Sequence, residues 1–242
     1  MENILPSGSV KGIIFDYGGT LDSRGDHWSE VILKGYLAAG LDIERDLFRE
    51  AYVHAERALA KHPYIRPDHN FLDLLRIKMI IELEWLADRG AVEPERVKLL
   101  AEDVAQYCYK FARACVDEAR PLLADLAGRY PLVLVSNFYG NIASVLADFN
   151  LSSFFPTIIE SAVVGVRKPD PAIFRLGVEA LGLDPGQVLV VGDSLRKDIL
   201  PAESIGCRVA WLKGKGWTPE EDAMLHPATI ENLNELRTAL LD

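Results

Sequence analysis

The sequence is poor in the features that mark several large protein classes. It has only three cysteines, Cys108, Cys115 and Cys207. They form no CxxC pair, and an odd number cannot all pair internally, so a disulfide scaffold is excluded and a reducing, cytoplasmic compartment is expected. Basic runs are missing, and 26 Lys and Arg against 36 Asp and Glu leave a net charge of −10. A nucleic-acid binder needs a basic surface to neutralise phosphates, so no nucleic-acid partner is expected. No apolar run is long enough to span a bilayer, and no membrane partner is expected. The start, Met1 to Val10, shows no basic stretch followed by an apolar one, hence no secretory signal. The five histidines, His27, His54, His62, His69 and His226, form neither HxxxH nor HExxH, which argues against zinc and for surface or helix-end roles. GxGxxG is absent, so Gly18-Gly19 is no dinucleotide fingerprint. There is no internal repeat.

What is present is hydrophobic material for a core, 49% of the chain. Short Val- and Ile-rich runs end at small or polar residues: Val10–Phe15, Pro131–Val135, Thr157–Ile159, Gln187–Val191 and Cys207–Leu212. Several lack alternation, as strands buried on both faces do. Helical patterns lie between them at Asn141–Phe149, Pro171–Leu181, Pro201–Ile205 and Leu233–Leu241. Strand and helix therefore alternate from Pro121 onward, which predicts an α/β fold with a doubly wound, mainly parallel sheet.

Ser23 to about Glu118 reads differently, with helical periodicity and no convincing strand. Four helices are expected, at Trp28–Ala39, Glu44–Lys61, Asn70–Asp88 and Pro94–Val116. Ile77, Ile80, Ile81 and Trp85 are spaced to form one apolar face. The expected division is a Rossmann-like three-layer core of Met1–Asp22 and Ala119–Asp242, with a helical cap of Ser23–Glu118 between. Inserted units on two linkers commonly cover a site. The cap aromatics Trp28, Trp85, Tyr107 and Tyr109 read as core, and Lys213–Trp217 as a solvated loop. Arg24, Arg66 and His69 sit where a cap loop can face the site.

Ligand sites in open α/β sheets lie beyond the carboxyl ends of strands. Here the clearest strands end in Asp16, in Ser136-Asn137 and in Gly192-Asp193, while Lys168 precedes the helix opened by Pro169-Asp170-Pro171. Singly, each is ordinary turn chemistry. Together they bring two carboxylates, a hydroxyl and an ammonium to one sheet edge. Two close carboxylates repel unless a cation sits between them, and magnesium favours oxygen ligands. A carboxylate can attack phosphorus, while lysine and a hydroxyl hold phosphoryl oxygens.

The segments FDYGGTLDS, LVLVSN, RKPDPAIF and VVGDSLRKD resemble the four ordered motifs of the haloacid dehalogenase-like hydrolases, over Lys11 to about Leu212. The resemblance implies a magnesium-dependent phosphatase acting on a small phosphate ester, as monomer or homodimer. It implies that Asp16 is nucleophile and metal ligand. Ser136 and Lys168 would contact the phosphoryl group. Asp193 would bind magnesium, with Asp198 as ligand or support, and the Gly18 carbonyl would be a further ligand. Thr20 would orient the loop, and amides near Gly18, Gly19 and Asn137 would bind phosphate.

One position departs from the pattern. Family phosphatases carry a second Asp two residues after the nucleophile, and this chain has Gly18 there. That Asp protonates the leaving group, and losing such a group costs ~10²–10⁴-fold in rate. An enzyme with Gly18 should favour esters that need little protonation, such as anomeric sugar, acyl or aryl phosphates. Asp22, Asp26 and His27 are nearby side chains able to supply a proton, although each also reads as a turn or helix-start residue. Two alternatives remain: a 2-haloacid dehalogenase, whose family pattern has Tyr at the Gly18 position and no counterpart of Asp193, and a binding protein that keeps the fold.

Overall fold

The computed structural model describes residues 10–241. The start of the chain, on which the reading of targeting rests, lies outside them. In chain order the elements are β1 (Gly12–Phe15), α1 (Trp28–Ala38), α2 (Arg45–Lys61), α3 (Phe71–Ala87), α4 (Val97–Ala127), β2 (Leu132–Ser136), α5 (Ile142–Asp148) and β3 (Thr157–Glu160). There follow α6 (Ser161–Val164), α7 (Ala172–Leu181), β4 (Val188–Gly192), α8 (Leu200–Ser204), β5 (Arg208–Leu212), α9 (Pro219–Ala223), β6 (Thr229–Ile230) and α10 (Glu235–Leu240). The six strands form one parallel sheet in the order β3-β2-β1-β4-β5-β6.

Both faces of the sheet are covered, which is why its strands read as continuous apolar runs. Ile13, Phe15, Leu132, Leu134, Leu189 and Val191 face one core; that core continues into the inserted helices through Val31, Tyr36, Phe48 and Leu83. Ile14, Val133, Val135, Val188 and Val190 face the other, under Ile173 and Phe174 of α7 and Ala202 of α8. Successive side chains alternate between these cores, as the pleat requires.

Five of the six strands and the four inserted helices follow the sequence reading closely; the two-residue edge strand β6, Thr229–Ile230, is too short to leave a sequence pattern and is not among the expected strands. The largest difference is α4, which runs through Pro121 to Ala127. Proline lacks the N–H of a helical bond. Here Ala119, Leu122, Leu123 and Leu126 are all buried, and their packing outweighs the missing bond. A second difference concerns α3. The stripe of Ile77, Ile80, Ile81 and Trp85 is only partly buried, and the innermost face carries Leu75, Lys78, Met79, Glu82 and Leu86. Periodicity locates an apolar stripe but cannot see charges that find partners inside. The three cysteines are buried and unpaired. Among the described residues no helix is long and apolar enough to cross a membrane.

Close approach of α7 to the sheet depends on Gly177. A Cβ there would lie 2.8 Å from Ile14 Cδ1 and 2.9 Å from Val135 Cγ2. Gly177→Leu is therefore expected to destabilise the fold by about 1–3 kcal/mol, although leucine ordinarily favours a helix over glycine. Urea unfolding followed by circular dichroism reads the sign, and a variant as stable as the parent would contradict this packing.

Candidate active site

The chain passes from β1 to β2 and β3 on one side, then returns to β4, β5 and β6 on the other. The order reverses around β1, and such a switch point opens a crevice at the carboxyl ends of the strands. Asp16 follows β1 and Asp193 follows β4, so the paired strands deliver two carboxylates to that crevice. Asp198 joins them from the π-helical turn Leu195–Ile199, a rare turn frequent at functional sites. Ser194 caps this turn, its side chain accepting from Lys197 N. Asp16, Asp193 and Asp198 each offer an oxygen, all within 4.8 Å of one another.

Lys168 enters the cluster from the turn before α7. Its Nζ lies 2.5 Å from Asp16 Oδ1 and 2.6 Å from Asp198 Oδ1. Both contacts are buried ion pairs. Lys168 is 4% exposed, Asp16 5% and Asp198 2%. Asn137 fixes the lysine's backbone, accepting from Lys168 N at 2.9 Å and donating to Lys168 O at 3.1 Å. The Asn137 side chain is thus committed to positioning. Ser136, at the end of β2, lines the same cavity. Thr20 is wholly buried, with Oγ1 3.2 Å from Asp16 Oδ2 and 3.1 Å from Asp193 Oδ1. Its single proton serves one of them at a time, which orients the loop from behind. Gly19 has φ +100°, and a Cβ there would sit 2.4 Å from the Asp193 carboxyl. A Cβ on Gly192 would lie 2.5 Å from Asp198 Cβ. Both glycines let backbone and carboxylates crowd together.

The electrostatics follow from burial. Desolvation pushes the Asp193 carboxyl well above the usual range, and the charges of Asp198 and Asp16 add to this. Asp198 is raised for the same leading reason, against the pull of Lys168. Burial alone would lower Lys168, but Asp16 and Asp198 outweigh it and hold the ammonium charged. Three carboxylates thus face one ammonium. The surplus negative charge and all-oxygen donors suit a hard divalent cation.

A cavity of about 1170 Å³ opens beside the cluster. Asp16, Gly18, Ser136, Asn137, Lys168 and Asp193 line it. A Cβ on Gly18 would meet nothing within 4 Å, so the usual place of the second Asp is open space. Asp22 is the nearest carboxyl in sequence. It accepts from Gly19 N at 2.7 Å and from Trp28 Nε1 at 3.1 Å and is fully covered. Burial pushes it up to about 8, with the Asp16 charge contributing and those two donors opposing.

Several sequence expectations are corrected here. His27 takes the expected helix-start place as N-cap of α1, but it also lines the cavity, and burial lowers it to about 4. His69 is buried, its Nδ1 accepting from Arg66 N. Trp28 forms cavity wall as well as core. The segment Gly214–Trp217 also lines the cavity, because Gly214 packs directly on Gly25 and Lys215 exchanges backbone bonds with the loop before α1. Arg24 pairs with Glu118 and Arg66 with Asp68, both away from the cavity. Glu56, Lys78 and Tyr139, which the sequence reading did not single out, line it.

A six-stranded parallel sheet with helices on both faces and a helical insert after its first strand defines a Rossmann-type α/β enzyme class. Within that class, the chain belongs to the haloacid dehalogenase-like hydrolases, whose family model matches residues 10–206. It is 30% identical over 155 residues to the phosphoserine phosphatase of Thermus thermophilus, covering 63% of this chain and 61% of that protein. The match thus spans about three fifths of that relative's length. The fold is similar to that of YfnB, a HAD-hydrolase of Bacillus subtilis solved bound to magnesium, with TM-score 0.61, 19% identity and 96% and 99% of the two chains covered. It is also similar to that of a 2-haloacid dehalogenase from Pseudomonas syringae pv. Tomato DC3000, with TM-score 0.51, 23% identity and 95% and 97% covered.

The raised aspartates give a pH signature. Groups whose folded pKa exceeds the unfolded value near 3.8 contribute stability that is complete below that value. This contribution is lost as pH rises through the folded values. Cation-free protein should therefore lose thermal stability from about pH 4 toward pH 8, and millimolar magnesium should restore it. Asp193→Asn should raise the cation-free midpoint at pH 8 and abolish the magnesium shift. A parent whose melting temperature at pH 8 ignores magnesium would sink this account.

Proposed function

We propose that the protein is a magnesium-dependent phosphatase of small phosphate esters that works through an aspartyl-phosphate at Asp16. The observation that carries this reading is the Asp16 carboxylate, held by Lys168 beside Asp193 and Asp198 at the mouth of the cavity. Relatives named as phosphatases point to the same chemistry. A metal-independent dehalogenase would leave the surplus of carboxylates without a role. In this proposal the core is Met1–Asp22 with Ala119–Asp242, and the cap is Ser23–Glu118. The α4 helix crosses the second boundary unbroken.

Asp16, Asp193 and the Gly18 carbonyl would hold magnesium. Asp198 supports them, since its Oδ2 accepts from Ser194 N at 3.0 Å while Oδ1 faces Lys168. When bound, the ion supplies charge neutralisation that lets a phosphoryl group approach a carboxylate. An Asp16 oxygen then attacks phosphorus, and the bond from phosphorus to the leaving oxygen breaks. Lys168, the Ser136 hydroxyl and the amides around Gly18, Gly19 and Asn137 hold the phosphoryl oxygens through the charge shift. Water next attacks phosphorus, displaces Asp16 and yields inorganic phosphate. The open space at Gly18 leaves no side chain there to protonate the leaving oxygen. Esters with acidic leaving groups are the natural substrates of such a site.

Purified protein with magnesium should hydrolyse p-nitrophenyl phosphate and acetyl phosphate. Asp16→Asn should lose on the order of 10³-fold or more in kcat, and equal rates for mutant and parent would end the enzymatic reading. Gly18→Asp has room for its side chain. It should raise turnover of alkyl phosphates by roughly 10²-fold and flatten the dependence of rate on leaving-group pKa, both read in a series of phosphate monoesters. No gain in that series would show that protonation does not limit this site.

A further inference from the structure

Elsewhere in the same cavity wall, the strongly apolar helix α3 turns two ionisable side chains inward. Lys78 is 4% exposed and Glu82 0%. Lys78 Nζ is ion-paired with Glu56 of α2 and lies 4.0 Å from the centroid of the Tyr52 ring. Tyr139, on the loop that begins at Ser136-Asn137, donates to Glu56, its hydroxyl 3.1 Å from Oε1 and 3.0 Å from Oε2. Two inserted helices and a core loop thus close on one carboxylate. Glu56, Lys78 and Tyr139 all line the cavity that holds Asp16. The Glu56 side chain is 37% exposed, so its lone pairs are not all spent within the protein.

Packing does not require this arrangement. Buried ion pairs are costly to desolvate, and apolar side chains of similar volume commonly hold two helices at least as well. Nearby contacts between these helices are made by Leu59 and Leu74, which pack without any charge. The charges therefore point to a ligand in the cavity.

Building on the phosphatase reading, we propose that Glu56, Lys78 and Tyr139 recognise hydroxyl groups at the end of the substrate away from phosphorus, and so select anomeric sugar phosphates. The pairing of opposite charges disfavours a substrate that carries charge of one sign at this end, and the open space at Gly18 disfavours alkyl esters, zwitterionic amino-acid phosphates included. A substrate carboxylate or second phosphate would meet Glu56, and a substrate amine would meet Lys78. A hydroxyl both donates and accepts, so neighbouring hydroxyls can give a proton to Glu56 and receive one from Lys78. Beside the charges the wall is aromatic. The His27 and Trp217 rings are 5.1 Å apart, and each lies within 5.7 Å of Tyr52. These rings offer an apolar surface to the C–H faces of a sugar. The cavity has room for far more than a phosphate group. Independently, Gly18 favours a leaving group that needs little protonation, which an anomeric sugar phosphate has.

The test measures kcat/KM with magnesium for hexose and pentose 1-phosphates, for phosphoglycolate and phosphoserine, and for p-nitrophenyl phosphate. The parent should prefer its best sugar 1-phosphate over phosphoglycolate and phosphoserine by about tenfold or more. In Glu56→Gln, the ratio of sugar phosphate to p-nitrophenyl phosphate should fall about tenfold or more, chiefly through KM. Tyr139→Phe removes a single hydroxyl and should lower the same ratio by about threefold, which keeps the test open should the first variant fold poorly. A preference for phosphoglycolate or phosphoserine, or ratios unchanged in both variants, would overturn this assignment while leaving the phosphatase reading intact. Failure of that reading shows separately, as parent protein that does not turn over p-nitrophenyl phosphate in an Asp16-dependent way.

Discussion

One ammonium among three carboxylates, shut off from water except at half-buried Asp193, is the constraint from which the rest of the molecule can be understood. Two like charges about 4 Å apart repel by about 4 kcal/mol at an effective dielectric of 20. Lys168 offsets part of that for Asp16 and Asp198, at 2.5 and 2.6 Å. Among the described residues the Asp193 carboxyl makes no ion pair, only the Thr20 hydroxyl bond, and burial and its carboxylate neighbours drive it upward against the more distant pull of Lys168. A folded chain does not accumulate this imbalance for stability. It concentrates field at one spot, and the rest of the core has to hold it there.

The sheet does so by topology. Reversal of strand order around β1 brings the ends of β1 and β4 side by side, and the register Phe15↔Val191 sets Asp16 and Asp193 just beyond. Backbone crowding then matters more than side-chain choice. Gly19 and Gly192 are required because a single methyl on either would occupy the space of an aspartate. The lysine arrives from the far side of the sheet, and its long flexible stem would be imprecise were its backbone not clamped by Asn137. Precision at the cluster is thus supplied by glycine backbone and by the Asn137 side chain rather than by the carboxylates themselves.

This explains what could be read from the sequence and what could not. Strand ends are written locally: an apolar run followed by Asp16, Ser136 or Asp193 announces both the strand and the group it presents. The inserted helices were legible for the same reason, since their turns and breaks are marked by glycine and proline. The path of α4 through Pro121 was not, because burial of Leu122, Leu123 and Leu126 is decided by partners remote in sequence. Nor was the Glu56–Lys78–Tyr139 network, whose members come from α2, α3 and a core loop. A partial signal existed. Lys78 and Glu82 interrupt an apolar helix at i, i+4 spacing on the face shared with Leu75 and Leu86. A charge pair is common on an exposed helix face, so spacing alone gave no reason to place it inside.

The vacancy at Gly18 changes where selectivity has to reside. An enzyme with its own acid can expel alkoxides of any basicity, and its substrate range is set by shape. Without one, the proposed reaction would depend on how readily the leaving oxygen carries negative charge, so the chemical step itself would sort esters before the inserted helices contribute. Binding energy from the far end of the substrate then acts within an already narrowed set. It is best used where it also excludes water and holds the reacting atoms in line. The Glu56–Lys78 pair on the inserted helices, tied by Tyr139 to the loop that carries Ser136, is suited to this: in the proposed reaction, a ligand engaged there would bear on the segment proposed to hold phosphate.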